Sequence, residues 1–546
     1  MVVLREDAPA PRIPQFFAGR AVFITGATGF MGKVLVERLL WTCPEVGKLF
    51  LLMRSKAGAK PQDRLLTLKR CKVFDVIRER CPAQLDKLRV VCGDITKPGL
   101  GISPDSLAEL EEVSVVFNCA ATVRFDEALR PAAEQNVLSV VQLLELCDRL
   151  PGIQAFVQVS TGYSNAERTS VAERVYPLPS ALANMLANAL AAPDNTSEEE
   201  VKRIISPKPN TYTYTKMMGE AAVAEHRTRG YPKAIFRPTI VIASLRHPFP
   251  GWIENYNGPS GVIIIVVSGL LHVFRCNGYK RADLLPVDMA IDTLIAVAWE
   301  TAIDNAPSVR VYNCSTSENP TTWEDLRAAM VNVGREYPLA DALWYPTCLF
   351  TKSRFIYETV KLLVQTIPFH VIEYMMRIFT HQKSRINLIK MHGRLCGMNA
   401  VLEFFATREW AFGTDNVRRL RARLSHADAA TFNLDPSAID WPEHHKNFVR
   451  GCQVYLSKDK AENLPEARKR LNRIYLVHRT VTILFPLLLI YQLINPRLLY
   501  NVVQQSLHCA AVIISSVSYA YNIWTQSCLA VWTWVDSSEV LPFKIL

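Results

Sequence analysis

Between Ala21 and about Ile242, short apolar runs rich in valine, isoleucine and phenylalanine alternate with longer stretches of helical character. Runs that are apolar throughout, rather than at every second position, suit strands covered on both faces, as in a parallel sheet flanked by helices. The runs predict strands at Ala21-Val22-Phe23-Ile24, Leu49-Phe50-Leu51-Leu52, Val90-Val91, Val115-Val116-Phe117, Phe156-Val157-Gln158-Val159 and Ala234-Ile235-Phe236. Their spacing of roughly 25 to 40 residues suits strand-helix repeats. The expected fold class is therefore α/β, with a Rossmann-type doubly wound parallel sheet. The segment from Ser180 to Lys208 breaks the order with alanines, an acidic run and prolines, and reads as an insertion near the substrate.

Beyond Ser315 the alternation fades. From Ser353 to Phe412 the pattern becomes that of amphipathic helices, with Leu362, Leu363, Ile372, Met375, Met376 and Ile378 at helical spacing; a second, helical region begins about there, and its methionines and aromatics read as plain core rather than a cofactor box. Near the end, Thr480 to Ile494 is uncharged and mostly apolar, and Leu498 to Val535 contains no charged residue. A membrane span needs about 20 such residues. Arg468, Lys469, Arg470, Arg473 and Arg479 precede the first run, which by the positive-inside tendency puts the main body on the cytoplasmic side. The division expected is an N-terminal tail at 1–15, a dinucleotide-binding domain with substrate-binding insertions at 16–315, a helical domain at 316–460, and at 461–546 a basic juxtamembrane segment with one or two transmembrane helices. A pair of buried core helices is the alternative for the last part.

Composition narrows the classes. A chain of 546 residues with 49% hydrophobic residues can bury a sizeable core but is too long for one ordinary domain. The formal charge of +11 is spread along the sequence without an arginine-rich arm or zinc-finger spacing, so a lipid bilayer is the expected partner and nucleic acid is not. Thirteen cysteines lie scattered without a Cys-x-x-Cys pair or a Cys/His cluster at ligand spacing. They read as reduced thiols, and no metal site is expected. Met1 to Gln15 carries Arg5, Glu6, Asp7 and three prolines in place of the apolar stretch of a secretory signal, so the catalytic part should face the cytosol.

Thr25-Gly26-Ala27-Thr28-Gly29-Phe30-Met31-Gly32 follows the first strand and opens a helix. In that position the glycines have physical jobs: a tight turn at Gly26, close approach of a pyrophosphate at Gly29, and close helix packing at Gly32, with the helix N-terminus favouring phosphate charge. Thr25, Gly26, Thr28, Gly29, Phe30, Met31 and Gly32 are thus candidate cofactor residues. After the second strand, Arg54 with Lys56 stands where an NAD-specific site tends to hold an acid, and a guanidinium there suits the 2′-phosphate of NADPH. Asp94 and Ile95 after the third strand, and Asn118, Ala120 and Ala121 after the fourth, would lie along the same cofactor.

Tyr212 and Lys216 are four residues apart at the start of a predicted helix, so both project from one face. A lysine ammonium beneath a tyrosine stabilises phenolate and lowers the phenol pKa, which suits a proton donor to a carbonyl receiving hydride. The fifth strand ends in Val159-Ser160-Thr161-Gly162, at the carboxyl edge where ligands bind in open α/β folds. Thr161 is the first choice to hydrogen-bond the substrate oxygen and Ser160 the alternative, since the register is open. Tyr214 faces elsewhere, and Cys119 reads as packing.

With these residues placed, the chain resembles the extended short-chain dehydrogenase/reductases and, within them, the alcohol-forming fatty acyl-CoA reductases. The resemblance covers roughly Phe16 to Lys458 and rests on Cys119-Ala120-Ala121-Thr122-Val123-Arg124-Phe125, Val159-Ser160-Thr161, Asn210 to Lys216, Arg237-Pro238-Thr239-Ile240-Val241, Pro248-Phe249-Pro250-Gly251-Trp252, Asn257-Gly258-Pro259-Ser260-Gly261, Leu285-Pro286-Val287-Asp288 and Thr407-Arg408-Glu409-Trp410. It implies that a long-chain fatty acyl-CoA is reduced by NADPH to a primary alcohol with release of CoA, for wax, ether-lipid or surface-lipid synthesis. It also implies that Arg237, Pro238 and Ile240 lie at the cofactor, and that Lys216 holds its ribose as well as tuning Tyr212. One segment departs from the family: after Pro-Ser-Gly, Val262-Ile263-Ile264-Ile265-Val266-Val267-Ser268 replaces a small glycine- and lysine-containing turn. A lipid- or dinucleotide-binding scaffold without turnover, and a membrane-bound sterol dehydrogenase or epimerase, are the rival readings. The expected location is a membrane, endoplasmic reticulum first, with peroxisome or lipid droplet as alternatives, and a homo-oligomer stays open.

Overall fold

A computed structural model describes residues 12–228, 230–379, 388–459 and 461–494. Seven strands form one parallel sheet: β1 (Ala21–Thr25), β2 (Leu49–Met53), β3 (Leu88–Cys92), β4 (Val113–Asn118), β5 (Ala155–Val159), β6 (Lys233–Pro238) and β7 (Arg310–Cys314). Their spatial order is β7-β6-β5-β4-β1-β2-β3, so the direction of winding reverses between β1 and β4. Such a reversal opens a crevice at the carboxyl ends of the two strands, where ligands bind in doubly wound folds.

The strands form where their apolar runs are continuous. All residues of β1, β2, β4, β5 and β6 are buried, whereas β3, at the sheet edge, exposes Arg89 and Cys92. Phe23, Val116, Phe156 and Ile235 are wholly buried in one core cluster on a face of the sheet, each stabilising the fold by roughly 1.5–3 kcal/mol of transfer free energy. β7 has no apolar-run signature, because Arg310 and Asn313 interrupt it. Asn313 is nonetheless buried: its Nδ2 donates to the Val171 and Gly413 carbonyls at 3.0 and 2.9 Å, so a polar residue sits inside the sheet with partners.

The segment from Ser180 to Lys208 forms two helices, Leu182–Ala191 and Glu198–Ile205. Met185, Ala189 and Ile205 pack with Tyr214, Met217 and Met218, so the insertion covers the helix that carries Tyr212.

The chain divides into two compact units, and not at one point near 315. The first comprises residues up to Glu254, Lys280–Thr322 and Arg408–His444; the second comprises Asn255–Tyr279, Trp323–Thr407 and the chain from His445 on. The return at Arg408 has a local cause. Ala411–Phe412 pairs in parallel with Ser170–Val171, and the Trp410 indole donates to the Ala166 carbonyl at 3.0 Å. Glu409 accepts from Lys280 Nζ at 2.7 Å. Arg408-Glu409-Trp410 therefore belongs to the sheet unit and not to the helical one.

Within the second unit, Val262 to Val267 lies in the helix Pro259–Val267 and every one of its side chains is buried. Val267 packs on Gly334 of the helix Trp323–Glu336. The bulk that looked out of place in a turn is the core of this unit. The reverse holds further on: Leu362, Leu363 and Ile372, apolar at helical spacing, are exposed.

The uncharged run from Thr480 falls in the helix Leu464–Ile494. Among the described residues no helix is long and apolar enough to cross a membrane. The longer run from Leu498 to Val535 lies outside the described residues.

Candidate active site

The glycine loop joins β1 to the helix Phe30–Thr42, whose N-cap, Gly29, has no side-chain bond to the first amides. Gly26 has φ +72°, and a Cβ there would stand 2.7 Å from the Ala120 nitrogen and 2.8 Å from the Cys119 carbonyl carbon. A Cβ at Gly32 would overlap the Gly26 oxygen. No larger residue fits either place, so the loop lies tight against the end of β4. Side chains tie the strand ends together: Thr25 Oγ1 donates to Asn118 Oδ1 at 2.5 Å and accepts from the Ala120 N–H at 3.1 Å. Asn118 Nδ2 donates to Gln158 Oε1 at 2.8 Å. Asn118 is thus a buried brace, and Ala120 and Ala121 continue from it at the switch point.

At the end of β2, Arg54 is exposed and its Nη1 lies 3.4 Å from Asp94 Oδ2. Burial tends to raise the Asp94 pKa, but two bonds from Thr96 and the Arg54 charge outweigh it and hold the carboxyl below its ordinary value. Ile95 is half-buried against the core, and Lys56 sits exposed in a turn closed by bonds between Lys56 and Ala59. A second arginine escapes sequence reading. Arg64, on the helix Pro61–Lys69, donates from Nη1 to the Arg54 carbonyl at 2.6 Å and from Nη2 to Thr28 Oγ1 at 3.1 Å. The Arg64 guanidinium at Thr28 of the glycine loop, with the Arg54 backbone bonded to it and the exposed Arg54 side chain, makes a donor set suited to a phosphate. The tight loop and these donors fit a dinucleotide.

Tyr212 stands in the first turn of the helix Thr211–Glu225, which Asn210 caps by accepting from the Thr213 N–H at 2.9 Å. Its hydroxyl and the Thr161 side chain share a hydrogen bond, and Phe125 packs on its ring at 5.6 Å. Lys216, one turn on, is buried; its Nζ donates to the Val159 carbonyl at 2.9 Å and stands 5.9 Å from the centre of the Tyr212 ring.

The pKa shifts differ from the simple expectation for such a pair. Burial pushes the Tyr212 phenol up to about 12, against the pull of the Thr161 bond and with a further push from the Glu220 charge. Lys216 is brought down to about 8 by burial, opposed by Cys119 and Glu220. Burial therefore outweighs the Thr161 bond, and Tyr212 is a neutral phenol at pH 7, the form that can give a proton.

The open register at the end of β5 is decided by hydrogen bonding. Ser160 Oγ donates to Glu220 Oε1 at 2.6 Å, which also accepts from Ser164 Oγ at 2.9 Å. Thr161, the neighbour, is the one that meets Tyr212. Arg237, expected at the cofactor, is wholly buried in the same network: Nε and Nη2 bind Glu220 at 2.8 and 2.6 Å, and Nη1 and Nη2 donate to the Ala172 and Arg174 carbonyls. Its guanidinium is a structural partner of Glu220. Pro238 ends β6, and Ile240 starts a short strand paired with Leu284–Pro286.

Sequence reading also misses Asn136, in the π turn Glu134–Leu138. Its Nδ2 donates to Thr215 Oγ1 at 3.0 Å and to the Thr122 carbonyl at 3.2 Å, and its Oδ1 accepts from the Thr122 N–H at 3.0 Å. Gly219 faces it, where a Cβ would lie 2.7 Å from the Asn136 oxygen. Asp288 of Leu285-Pro286-Val287-Asp288 accepts from the Leu245, Arg246 and His247 amides at 2.7 to 3.0 Å, fixing the loop before Trp252. The Trp252 ring in turn stacks on Phe30 at 5.3 Å.

A parallel sheet with a glycine loop at its switch point and a Tyr/Lys pair on a helix that packs beside the end of β5 defines an NAD(P)H-dependent oxidoreductase. Two family models described as "Male sterility protein" match residues 24–294 and 364–459. Fatty acyl-CoA reductase 1 of Gallus gallus is 36% identical over 464 residues, 85% of this chain and 89% of that protein. Fatty acyl-CoA reductase 2 of Homo sapiens is 34% identical over 468 residues, 85% and 90% of the two chains. The chain belongs to the fatty acyl-CoA reductase family. Among solved structures, the terminal R domain of the myxalamid biosynthetic pathway has a TM-score of 0.52 at 17% identity, covering 81% of this chain and 93% of its own. A reductase domain of a nonribosomal peptide synthetase from Mycobacterium tuberculosis has the same TM-score and identity, covering 82% and 94%. Both share the fold.

Proposed function

We propose that this protein reduces a long-chain fatty acyl-CoA to the primary alcohol with two equivalents of NADPH, releasing CoA, in the synthesis of wax, ether or surface lipids. The observation that carries the reading is the hydrogen bond between Tyr212 and Thr161, with Lys216 one turn behind, at the carboxyl edge of β5.

When bound, the cofactor supplies a hydride to the carbonyl carbon. Thr161 and Tyr212 converge on one point, so a thioester oxygen placed there meets two hydroxyl donors. As the carbonyl bond opens, Tyr212 gives its proton to the oxygen, and burial keeps that proton in place beforehand. Lys216, mostly ammonium at pH 7 and fixed by the Val159 carbonyl, stabilises the phenolate left behind and is the residue we assign to the nicotinamide ribose. The thiohemiacetal expels CoA, and the aldehyde passes the same two donors in the second reduction. Thr25, Gly26, Thr28, Gly29, Phe30, Met31 and Gly32 would cradle the pyrophosphate, with Asp94, Ile95, Asn118, Ala120 and Ala121 along the remainder. Arg54, Lys56 and Arg64 favour NADPH over NADH through the 2′-phosphate.

We assign the protein to a membrane with its catalytic part facing the cytosol, the endoplasmic reticulum first, with peroxisome and lipid droplet as alternatives. The basic residues from Arg468 to Arg479 and the uncharged run from Leu498 to Val535 support that assignment. The test uses membranes containing the protein or its Tyr212→Phe variant, NADPH and long-chain acyl-CoAs, following CoA release and extracted alcohol and aldehyde. Alcohol from the unaltered protein alone supports the reading. Cofactor binding without product from either would replace it with a binding scaffold.

A further inference from the structure

The second unit carries a continuous helical run: Arg354–Val360, the π turn Lys361–Thr366 and Ile367–Phe379. One side of it is packed. Tyr357, Gln365 and Phe369 are buried, and Gln365 Oε1 accepts from the His272 and Val273 amides at 3.1 and 3.2 Å, fixing the run to the strand Val273–Arg275. Much of its remaining described surface is apolar and open. Phe355 is 79% exposed, Leu362 50%, Leu363 52%, Ile367 46%, Val371 53% and Tyr374 65%. Single exposed leucines are ordinary on a protein surface, but so many large apolar side chains along one run mark a site of interaction.

Charge identifies the occupant. Between Lys352 and Arg394 the sequence has eight lysines and arginines against two glutamates. Glu373 is buried and accepts from the Leu388 amide at 2.9 Å, and Glu358 is paired with Lys361. Lys352, Arg354 and Lys390 are exposed. An apolar face rimmed by cations matches the boundary between anionic headgroups and acyl chains. A second copy of this chain would bring a rim of the same sign against it.

A second apolar surface lies in the same unit. The helix Leu464–Ile494 exposes Leu476, Val481, Leu484 and Leu487, and its base is held by Trp344 Nε1 donating to His478 Nδ1 at 3.0 Å. Leu349, five residues on from Trp344, donates its amide to the His272 carbonyl at 2.9 Å. Both surfaces therefore spring from the segment around His272.

We infer that the helical run Arg354–Phe379 is an interfacial docking surface for an anionic lipid bilayer, its apolar side chains entering the headgroup boundary without crossing. The contact does not depend on the chemistry at Tyr212 or on a span after Leu498.

The full-length protein would carry the photoreactive residue p-benzoylphenylalanine at Phe355, Leu363 or Val371, with Tyr279, 90% exposed in the same unit, as control. It would be reconstituted in phosphatidylcholine vesicles holding about 30% phosphatidylglycerol. Irradiation should give lipid adducts at the three sites about tenfold above Tyr279, reduced several-fold by the double variant Lys352→Glu, Arg354→Glu. Thermal unfolding of each labelled protein checks that the fold is kept, and three independent sites cover the failure of any one. Adducts to a second copy of the chain at those sites, or lipid labelling no greater than at Tyr279, would overturn the inference.

Discussion

Ser160 and Thr161 are adjacent, yet their hydroxyls serve different partners: Ser160 donates to Glu220 at 2.6 Å, and Thr161 bonds Tyr212. Thr161→Val is therefore expected to lower kcat about 100-fold, as for loss of one donor to a developing oxyanion, and to cost about 1 kcal/mol of stability because Thr161 Oγ1 also caps the next turn by accepting from the Tyr163 N–H at 3.2 Å. Ser160→Ala removes a bond to a buried carboxylate and should cost about 1.5–3 kcal/mol of stability, with the smaller effect on kcat. Paired kcat and thermal-unfolding measurements separate the two. Equal kcat losses in both variants would mean that the pair acts as one unit.

The rate should fall on the alkaline side. Lys216, its pKa lowered to about 8, loses its charge first, while Tyr212, raised to about 12, keeps its proton through this range. Activity is expected to hold up to about pH 8 and then decline as the ammonium is lost. Lys216→Arg keeps the charge at every pH measured, so its lower kcat should show no decline near pH 8. A decline unchanged in that variant would assign it to another group.

Arg64 touches both Thr28 and the Arg54 carbonyl, so its removal distinguishes phosphate recognition from loop support. For Arg64→Ala the KM for NADPH is expected to rise about 10- to 100-fold, the effect of losing a charge-assisted bond, with the KM for NADH nearly unchanged. A parallel rise for both cofactors would make Arg64 a support of the glycine loop alone.

What the sequence made legible follows from what leaves a local pattern. Six strands of the sheet show as short apolar runs, and the glycine loop and the Tyr212/Lys216 spacing are local signals too. β7 was hidden because Asn313 finds its partners, Val171 and Gly413, far away in the chain. Arg64 and Asn136 were hidden for the same reason: each acts through contacts that only packing creates. Arg237 shows that a motif gives position and not orientation: its guanidinium is held by Glu220. The exposed run from Phe355 to Tyr374 shows the limit of periodicity, which marks an apolar face but not what covers it.

Glu37 gives the last test, on stability. It is buried in the helix Phe30–Thr42, one of its carboxylate oxygens has no hydrogen-bond partner among the described residues, and burial raises its pKa to about 8, with Asp292 and Asp288 adding to the shift and Arg38 opposing it. The folded state thus holds the proton more tightly than the unfolded chain, where a glutamate titrates near 4.5. The stability this contributes is fully present below about pH 4.5 and is lost progressively as the pH rises toward 8, because the folded protein must keep or bury what the unfolded chain releases freely. Glu37→Gln has no proton to lose and should flatten that part of the profile. Its urea midpoint is expected to gain on the unaltered protein steadily from pH 5 to pH 8 and then run parallel to it. A constant difference between the two across this range would show that Glu37 ionises in the folded protein as it does in water.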